Sequence, residues 1–483
     1  MKKLISVILT LVIVLSLFSG CNTAVSVNSY DIFVQFDEES KTLQSDMTVT
    51  FFNSSKNDLD ELQFNMFANA YRQNAKLKAV PDSKFTASYL HGKSYGYIDI
   101  QKVVDSGGKQ LEFSIGGVDK NLLVVKLSKP LKPNDKATVT ISFAVKLANV
   151  SHRLGYMDDV VFLGNFFPIL AVYENGKFVE CPYYAVGDPF YSSVANFNVT
   201  LKCPSSYVVG ASGKPAKVVD GGDFVSTTYS VENVRDFALT LSKNYRVIKG
   251  VVDGIELTYL YKKDSSPNDS FMTASQAIRS FNKLFGKYPY PTLTVSETPF
   301  SDGGMEYPAH VFISDCLSKD ERTEVVVHEI AHEWWYGVVG NNQLDFAVFD
   351  EGLAQYSTLM FFEDNSQYGI TRTKRINSLR ENYANYVKLQ NIANIKSSSP
   401  ICKPLKDFPT QFEYVFKTYV LGEIFFDDLR VVLGDTKFNK AIASVYKQYK
   451  FKEITLEQFA KEMSNSSGVD VESYIKSYLS NQK

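Results

Sequence analysis

One helical pentapeptide and one downstream acid constrain this chain more than anything else in it: His328-Glu329-Ile330-Ala331-His332, followed nineteen residues after its second histidine by Glu351. On an α-helix, residues four apart share a face, so His328 and His332 aim two imidazole nitrogens at one point with Glu329 beside them. Two ligands alone hold a metal weakly. A carboxylate from the next helix supplies the third, so the fold has to set two consecutive helices side by side with Glu351 opposite the histidines. Two histidines, one glutamate and an open position are the donor set of a catalytic rather than a structural zinc. Chance explains this poorly, because the chain has only five histidines and two of them stand at ligand spacing around a glutamate.

The helix that carries the pair is also readable. Ser318-Lys319-Asp320-Glu321 has the form of a capping box, and Asp320, Glu321 and Glu324 put negative charge where the helix dipole favours it. The spacing predicts a helix from about 319 through Val325, Val326, Val327, Ile330, Ala331 and the tryptophan pair 334–335, with Gly337 or Gly340 as its stop. Apolar residues around most of its circumference make it a buried helix. Buried histidines and glutamates need partners, and a dication supplies one.

At 483 residues the chain is too long for one compact core. From 24 to 245 it reads as β throughout: alternating stretches such as Met47–Phe52, Leu122–Leu127, Ala137–Phe143 and Phe197–Leu201 are separated by turn signals at Ser106-Gly107-Gly108, Pro133-Asn134-Asp135 and Asp220-Gly221-Gly222. After Gly254 the period changes. A helix is expected over Asp269–Phe285, strands at Thr292–Glu297 and Val311–Ser314, and then helices almost without interruption: the histidine helix, the Glu351 helix to about Phe362, one over 371–389, one over 411–433, and a short helical tail over 435–483. The expected class is therefore multidomain α+β, an N-terminal antiparallel sandwich or saddle (24–245) before a zinc-bearing unit (246–434). A net charge of −2 with 22% charged residues gives no support for nucleic-acid binding.

The N-terminus reads as an address. Lys2-Lys3, an apolar run from Leu4 to Phe18 and Ser19-Gly20-Cys21 resemble a bacterial lipoprotein signal (1–21), with Cys21 lipidated as the first mature residue. An ordinary cleaved signal or an uncleaved anchor are the alternatives, and each puts the body outside the cytoplasm. Cys181, Cys203, Cys316 and Cys402 form neither a disulfide framework nor a thiolate zinc site; a bridge between Cys181 and Cys203 is one reading, isolated core residues the other.

Together these residues resemble the membrane alanyl aminopeptidase family, zinc metallopeptidases with a thermolysin-like catalytic domain behind a β-saddle domain. The resemblance rests on Gly303-Gly304-Met305-Glu306, similar to the family's Gly-x-Met-Glu-Asn motif, on the histidine helix with Glu351, and on Tyr419-Val420-Leu421-Gly422, similar to its Tyr-x-Lys-Gly. It implies one zinc ion held by His328, His332 and Glu351, with Glu329 as general base and Tyr419 as hydrogen-bond donor to the oxyanion. It implies further that Glu306 pairs with a substrate α-ammonium, that Gly303, Gly304 and Met305 meet the substrate backbone, and that Tyr414 belongs to the substrate site. Tyr307, Leu421 and Asp350 depart from the family's residues, and Asn165 is a candidate for the second amine-binding group, which the family takes from its saddle domain. The implied activity is aminopeptidase cleavage of peptides by a lipid-anchored or secreted protein. An endopeptidase or epoxide hydrolase on the same scaffold, and a surface-binding lipoprotein with a vestigial site, are the competing readings; the intact Glu329 argues against the last.

Overall fold

A computed structural model describes residues 27–393 and 400–480, so Cys21 and the signal lie outside the described residues. Two halves follow one another as α+β. The first is built on a seven-stranded sheet whose central strands alternate cleanly. Along Thr42–Phe52, Leu43, Met47, Val49 and Phe51 turn inward, and the antiparallel neighbour Lys136–Lys146 answers with Val139, Ile141, Phe143 and Val145. Period-two burial on one face fixes this register, because a slip of one residue would turn every apolar side chain to water. Asn28–Asp37 is the middle strand of this open sheet, antiparallel to Thr42–Phe52 on one side and parallel to Ala195–Pro204 on the other. Two four-stranded sheets complete this half.

The second half opens with a five-stranded sheet in the order Arg246–Val252, Ile255–Tyr261, Thr292–Thr298, His310–Ser314, Gly304–Met305. Its outermost strand is the glycine motif, which pairs antiparallel with His310–Ser314 on one side only. Helices then cover it. Pro267–Leu284 starts with proline in its first turn, where the missing N–H has no intrahelical partner to lose. The histidine helix spans Lys319–His332 with the expected capping box at Ser318. It ends at His332 rather than at Gly337: Glu333 and Trp334 tighten into short-range bonds to Ile330 and Ala331, and Glu333 is drawn aside by Tyr288 and the Ala309 amide.

The Glu351 helix spans Gln343–Asp364. The single helix expected over 411–433 is instead Gln411–Val415, a π-helical segment Phe416–Leu421, and Gly422–Leu433. The wider turn carries Tyr419, in keeping with the habit of such bulges to re-aim side chains at functional sites. After Gly434, helices Asp435–Tyr449, Leu456–Ser467 and Glu472–Ser480 pack onto this half. Phe459 meets Phe349 at 5.6 Å between ring centres, and Lys452–Glu453 pairs with Val339–Gly340. Cys181 and Cys203 are both free and buried as core residues, which excludes the bridge between them. Among the described residues no helix is long and apolar enough to cross a membrane.

Candidate active site

A cleft of about 450 Å3 lies between the two halves, and His328, Glu329, His332 and Glu351 form part of its lining. His332 Nε2 is 3.1 Å from His328 Nε2 and 3.2 Å from Glu351 Oε2, and His328 Nε2 is 3.3 Å from the same oxygen. Four donors placed tetrahedrally about 2.1 Å from one zinc ion stand about 3.4 Å apart, so the triangle has the size of a zinc site. Its chemistry agrees. His332 Nδ1 lies 3.1 Å from the Trp335 carbonyl, which can only accept, so the ring carries a proton there and Nε2 is the atom left to take a cation; against the cost of burial, Glu351 raises the ring's affinity for positive charge well above that of an ordinary imidazole. Lone pairs converging in a buried place need a cation. The early end of the histidine helix is what brings that carbonyl round to the ring.

Glu329 is buried beside this triangle, and its carboxylate occupies the space above Gly304 that a side chain would fill: a Cβ there would stand 2.3 Å from Oε1. Burial raises its pKa well above the ordinary carboxylate range, against the opposing pull of His332. Tyr419 stacks on His328 at 5.8 Å, and its hydroxyl faces Glu351. It comes this close because two glycines meet: a Cβ on Gly352 would stand 3.1 Å from the Gly422 Cα, so the Glu351 helix and the Tyr419 segment touch backbone to backbone. Tyr414 is 1% exposed, packs edge-on to Tyr419 at 6.0 Å and has no hydrogen-bond partner for its hydroxyl among the described residues.

A second cluster adjoins the first. Asp188, Glu306 and Glu351 offer three buried carboxylate oxygens within 4.8 Å of one another. Burial, reinforced by Asp188, pushes the Glu306 carboxyl up to about 8, the mark of an acid short of positive charge. Gln343 Nε2 donates to Glu306 at 3.0 Å and to Asp350 at 2.7 Å, tying the edge strand to the Glu351 helix. Arg153 pairs with Asp188, donates to the Gly187 carbonyl at 3.3 Å and lies 3.2 Å from the Met305 sulfur.

Sequence reasoning missed Asp188, Arg153 and Gln343, which carry no local signal: each stands in a turn or a helix start that spacing does not mark. It also offered Asn165 for the second amine-binding group. The structure corrects this, because Asn165 bonds Asp236 and the Tyr307 hydroxyl and does not line the cleft. Asp188, and not Asn165, is the acid that stands beside Glu306. Met305 is buried, its side chain turned from the cleft, while Gly303 and Gly304 line it.

Residues 270–478 match the model of the Peptidase family M1 domain. The M1 match thus includes the metal triangle, Glu306 and both tyrosines. Among curated relatives, Aminopeptidase B of Rattus norvegicus is 26% identical over 193 residues, 37% of this chain and 28% of that protein. Leucine aminopeptidase 2 of Yarrowia lipolytica is 25% identical over 383 residues, 75% of this chain and 56% of that protein. The chain therefore spans between about a quarter and somewhat over half of these relatives' lengths. Among solved structures, the M1 zinc metallopeptidase of Deinococcus radiodurans bound to a Tyr-Ser-Ala substrate superposes with a TM-score of 0.69 at 14% identity, covering 95% of this chain and 94% of that one. A two-domain M1 zinc metallopeptidase bound to L-arginine gives 0.68 at 14% identity over similar spans. The fold is theirs, a β domain before a mostly helical part, as the α+β reading of the sequence required.

Proposed function

We propose that this chain is a zinc-dependent aminopeptidase that removes N-terminal residues from peptides outside the cytoplasm. The observation that carries the reading is the junction of two unlike clusters at Glu351, one sized for a zinc ion and one sized for an ammonium group. Asp188, Glu306 and Glu351 offer three buried carboxylate oxygens all within 4.8 Å of one another, close enough for one ammonium to donate to each of them. Charge supports the same pairing. Asp188, Glu306, Glu329 and Glu351 outnumber Arg153 in this part of the cleft, and Glu306, held at about 8 by burial and Asp188, is an acid that an α-ammonium would ionise and pair.

A zinc ion held by His328, His332 and Glu351 would polarise the scissile carbonyl and acidify the attacking water. Glu329 accepts the water's proton and returns it to the leaving amine. Tyr419 donates to the oxyanion that develops on the carbonyl, and Tyr414, whose hydroxyl has no protein partner, supports the same side of the substrate. Asp188 and Glu306 hold the α-ammonium, while the free edge at Gly303-Gly304 pairs with the substrate backbone. An acetylated N-terminus cannot satisfy the two acids, so it leaves desolvated charge behind.

The test compares unblocked and N-acetylated aminoacyl fluorogenic substrates, with and without a chelator. Chelator-sensitive cleavage of the unblocked form alone is expected. Equal cleavage of both forms would indicate an endopeptidase, and cleavage of neither by the zinc-loaded protein a binding scaffold. The membrane part of the reading rests on Lys2 to Cys21: mass spectrometry of the mature protein should find a lipidated Cys21 as first residue, and an unmodified N-terminus elsewhere would make the protein secreted or anchored otherwise.

A further inference from the structure

One wall of the cleft, built mainly from the β half, belongs to neither cluster. His152 lines it and is 3% exposed. Its Nδ1 lies 2.6 Å from the buried Tyr71 hydroxyl. That separation is short for an N–H···O bond and ordinary for an O–H donor, so Tyr71 donates and the imidazole carries its proton on Nε2. Burial, with Arg153 and Lys84 nearby, holds the ring's pKa well below its usual value and keeps it neutral. Among the described residues no hydrogen bond besides that to Tyr71 engages the His152 ring, so Nε2 is left to the cleft. Lys84 lines the same wall, its ammonium paired with Asp302, and one carboxylate does not exhaust three donors. The Phe300 ring, 5.9 Å from that of His152, lies against it.

This wall is fixed relative to the reacting groups. Ser301 Oγ donates to the Ser151 carbonyl at 3.2 Å and is 3.1 Å from Ser88 Oγ, so the loop carrying Asp302 is pinned to the β half just before Gly303 and Gly304. Gly304 lies against Glu329, and Asp302, which pairs with Lys84, precedes it by two residues across a turn, so their Cα atoms are at most about 7 Å apart. Lys84, held by Asp302, and His152 in the same wall are thus within reach of a substrate residue two or three places along from the bond beside Glu329. Arg153 does not compete for a ligand there, since Asp188 engages it.

We propose that His152 and Lys84 form a carboxylate-binding subsite that selects peptides carrying a carboxylate two or three residues from the scissile bond. The substrate so selected rests on the aminopeptidase reading; the subsite itself does not. The carboxylate is either the α-carboxylate of a short peptide or an acidic side chain of a longer one.

Equilibrium binding to the zinc-loaded Glu329→Gln protein, read by calorimetry, tests this without turnover. Two pairs are compared: Ala-Ala-Ala as free acid and as C-terminal amide, and amidated Ala-Ala-Glu-Ala against Ala-Ala-Gln-Ala. A charge-assisted contact should make the acid of at least one pair bind about tenfold more tightly. Preference in the first pair assigns the α-carboxylate, and preference in the second assigns the side chain. Adding His152→Ala should bring the preferred pair to near parity while unblocked peptides still outbind acetylated ones. Because that change strips Tyr71 of its partner, Lys84→Met on the partly exposed side serves as the second variant with the same expectation. Equal binding within both pairs, or a preference that survives both variants, overturns the subsite. Intact acid preference in a wild-type protein that cleaves no aminoacyl substrate would instead strike the aminopeptidase reading alone.

Discussion

The two corners of the cleft share Glu351 and are built in opposite ways. At the metal corner all three donors come from two consecutive helices, and they stand 3.1–3.3 Å apart. At the acid corner Asp188 comes from a loop of the β half and Glu306 from the end of an edge strand. They are held in place by Arg153 from one side and Gln343 from the other. A helical pair positions its ligands by local geometry, whereas the acid pair exists only while the two halves are docked. Metal binding should therefore be the robust property and the proposed reading of the N-terminus the fragile one.

The strongest way to break the comparison is to change the residue the corners share. Glu351→Gln should lose the zinc and with it several orders of magnitude in turnover; a variant that keeps one zinc per chain by mass spectrometry would show that the triangle is not the metal site. Glu329→Gln separates base from ligand: zinc content should stay at one while kcat falls about a thousandfold. Tyr419→Phe should lower kcat about a hundredfold with little change in KM, since its hydroxyl acts on charge that appears only in the transition state. An unchanged kcat would return Tyr419 to a packing role.

Smaller effects sharpen the contrast. Gly304→Ala places a methyl group where the Glu329 carboxylate lies, so kcat should drop roughly tenfold to a hundredfold by displacement of the base. Zinc content and thermal midpoint should change little, because the atoms met belong to the side chain of Glu329 and can move. Asp188→Asn and Glu306→Gln should each raise KM for unblocked substrates about tenfold and leave zinc content intact; loss of zinc in either would mean that the corners are one site.

The smallest effect concerns a buried acid outside both corners. Burial raises the Asp236 carboxyl to about 7 in the folded state from 3.8, so the folded protein holds a proton that the unfolded chain releases between those values. Its contribution is full below about pH 4 and is lost as pH rises through 7. Asp236→Asn should flatten that part of the dependence of thermal midpoint on pH, and an unaltered slope would assign it to other acids.

The metal corner was legible because a helix converts sequence spacing directly into spatial spacing. His328, Glu329 and His332 needed only the 3.6-residue turn, and Ser318 with Glu321 announced where that turn begins. The strands of the first half were legible for the same reason at period two. Boundaries failed where local turns intervened: the histidine helix tightens after His332 into short-range bonds to Ile330 and Ala331 and leaves helical geometry at Tyr336, and the helix expected over 411–433 widens around Tyr419, which stands beside His328. Asn165 was offered for the amine site and proved to be a link between Asp236 and Tyr307.

The sequence by itself determined the α+β order and pointed to the helix face shared by His328 and His332, to Glu329 beside them and to the glycine edge, all by periodicity and short-range spacing. Only the tertiary structure decided which acid joins Glu306, that Arg153 and Gln343 hold the pair, that Gly352 and Gly422 let Tyr419 approach, and that His152 turns an unmatched donor to the cleft. Those arrangements join residues far apart in the chain, and their energies come from burial and charge pairing between the two halves, which no local pattern encodes.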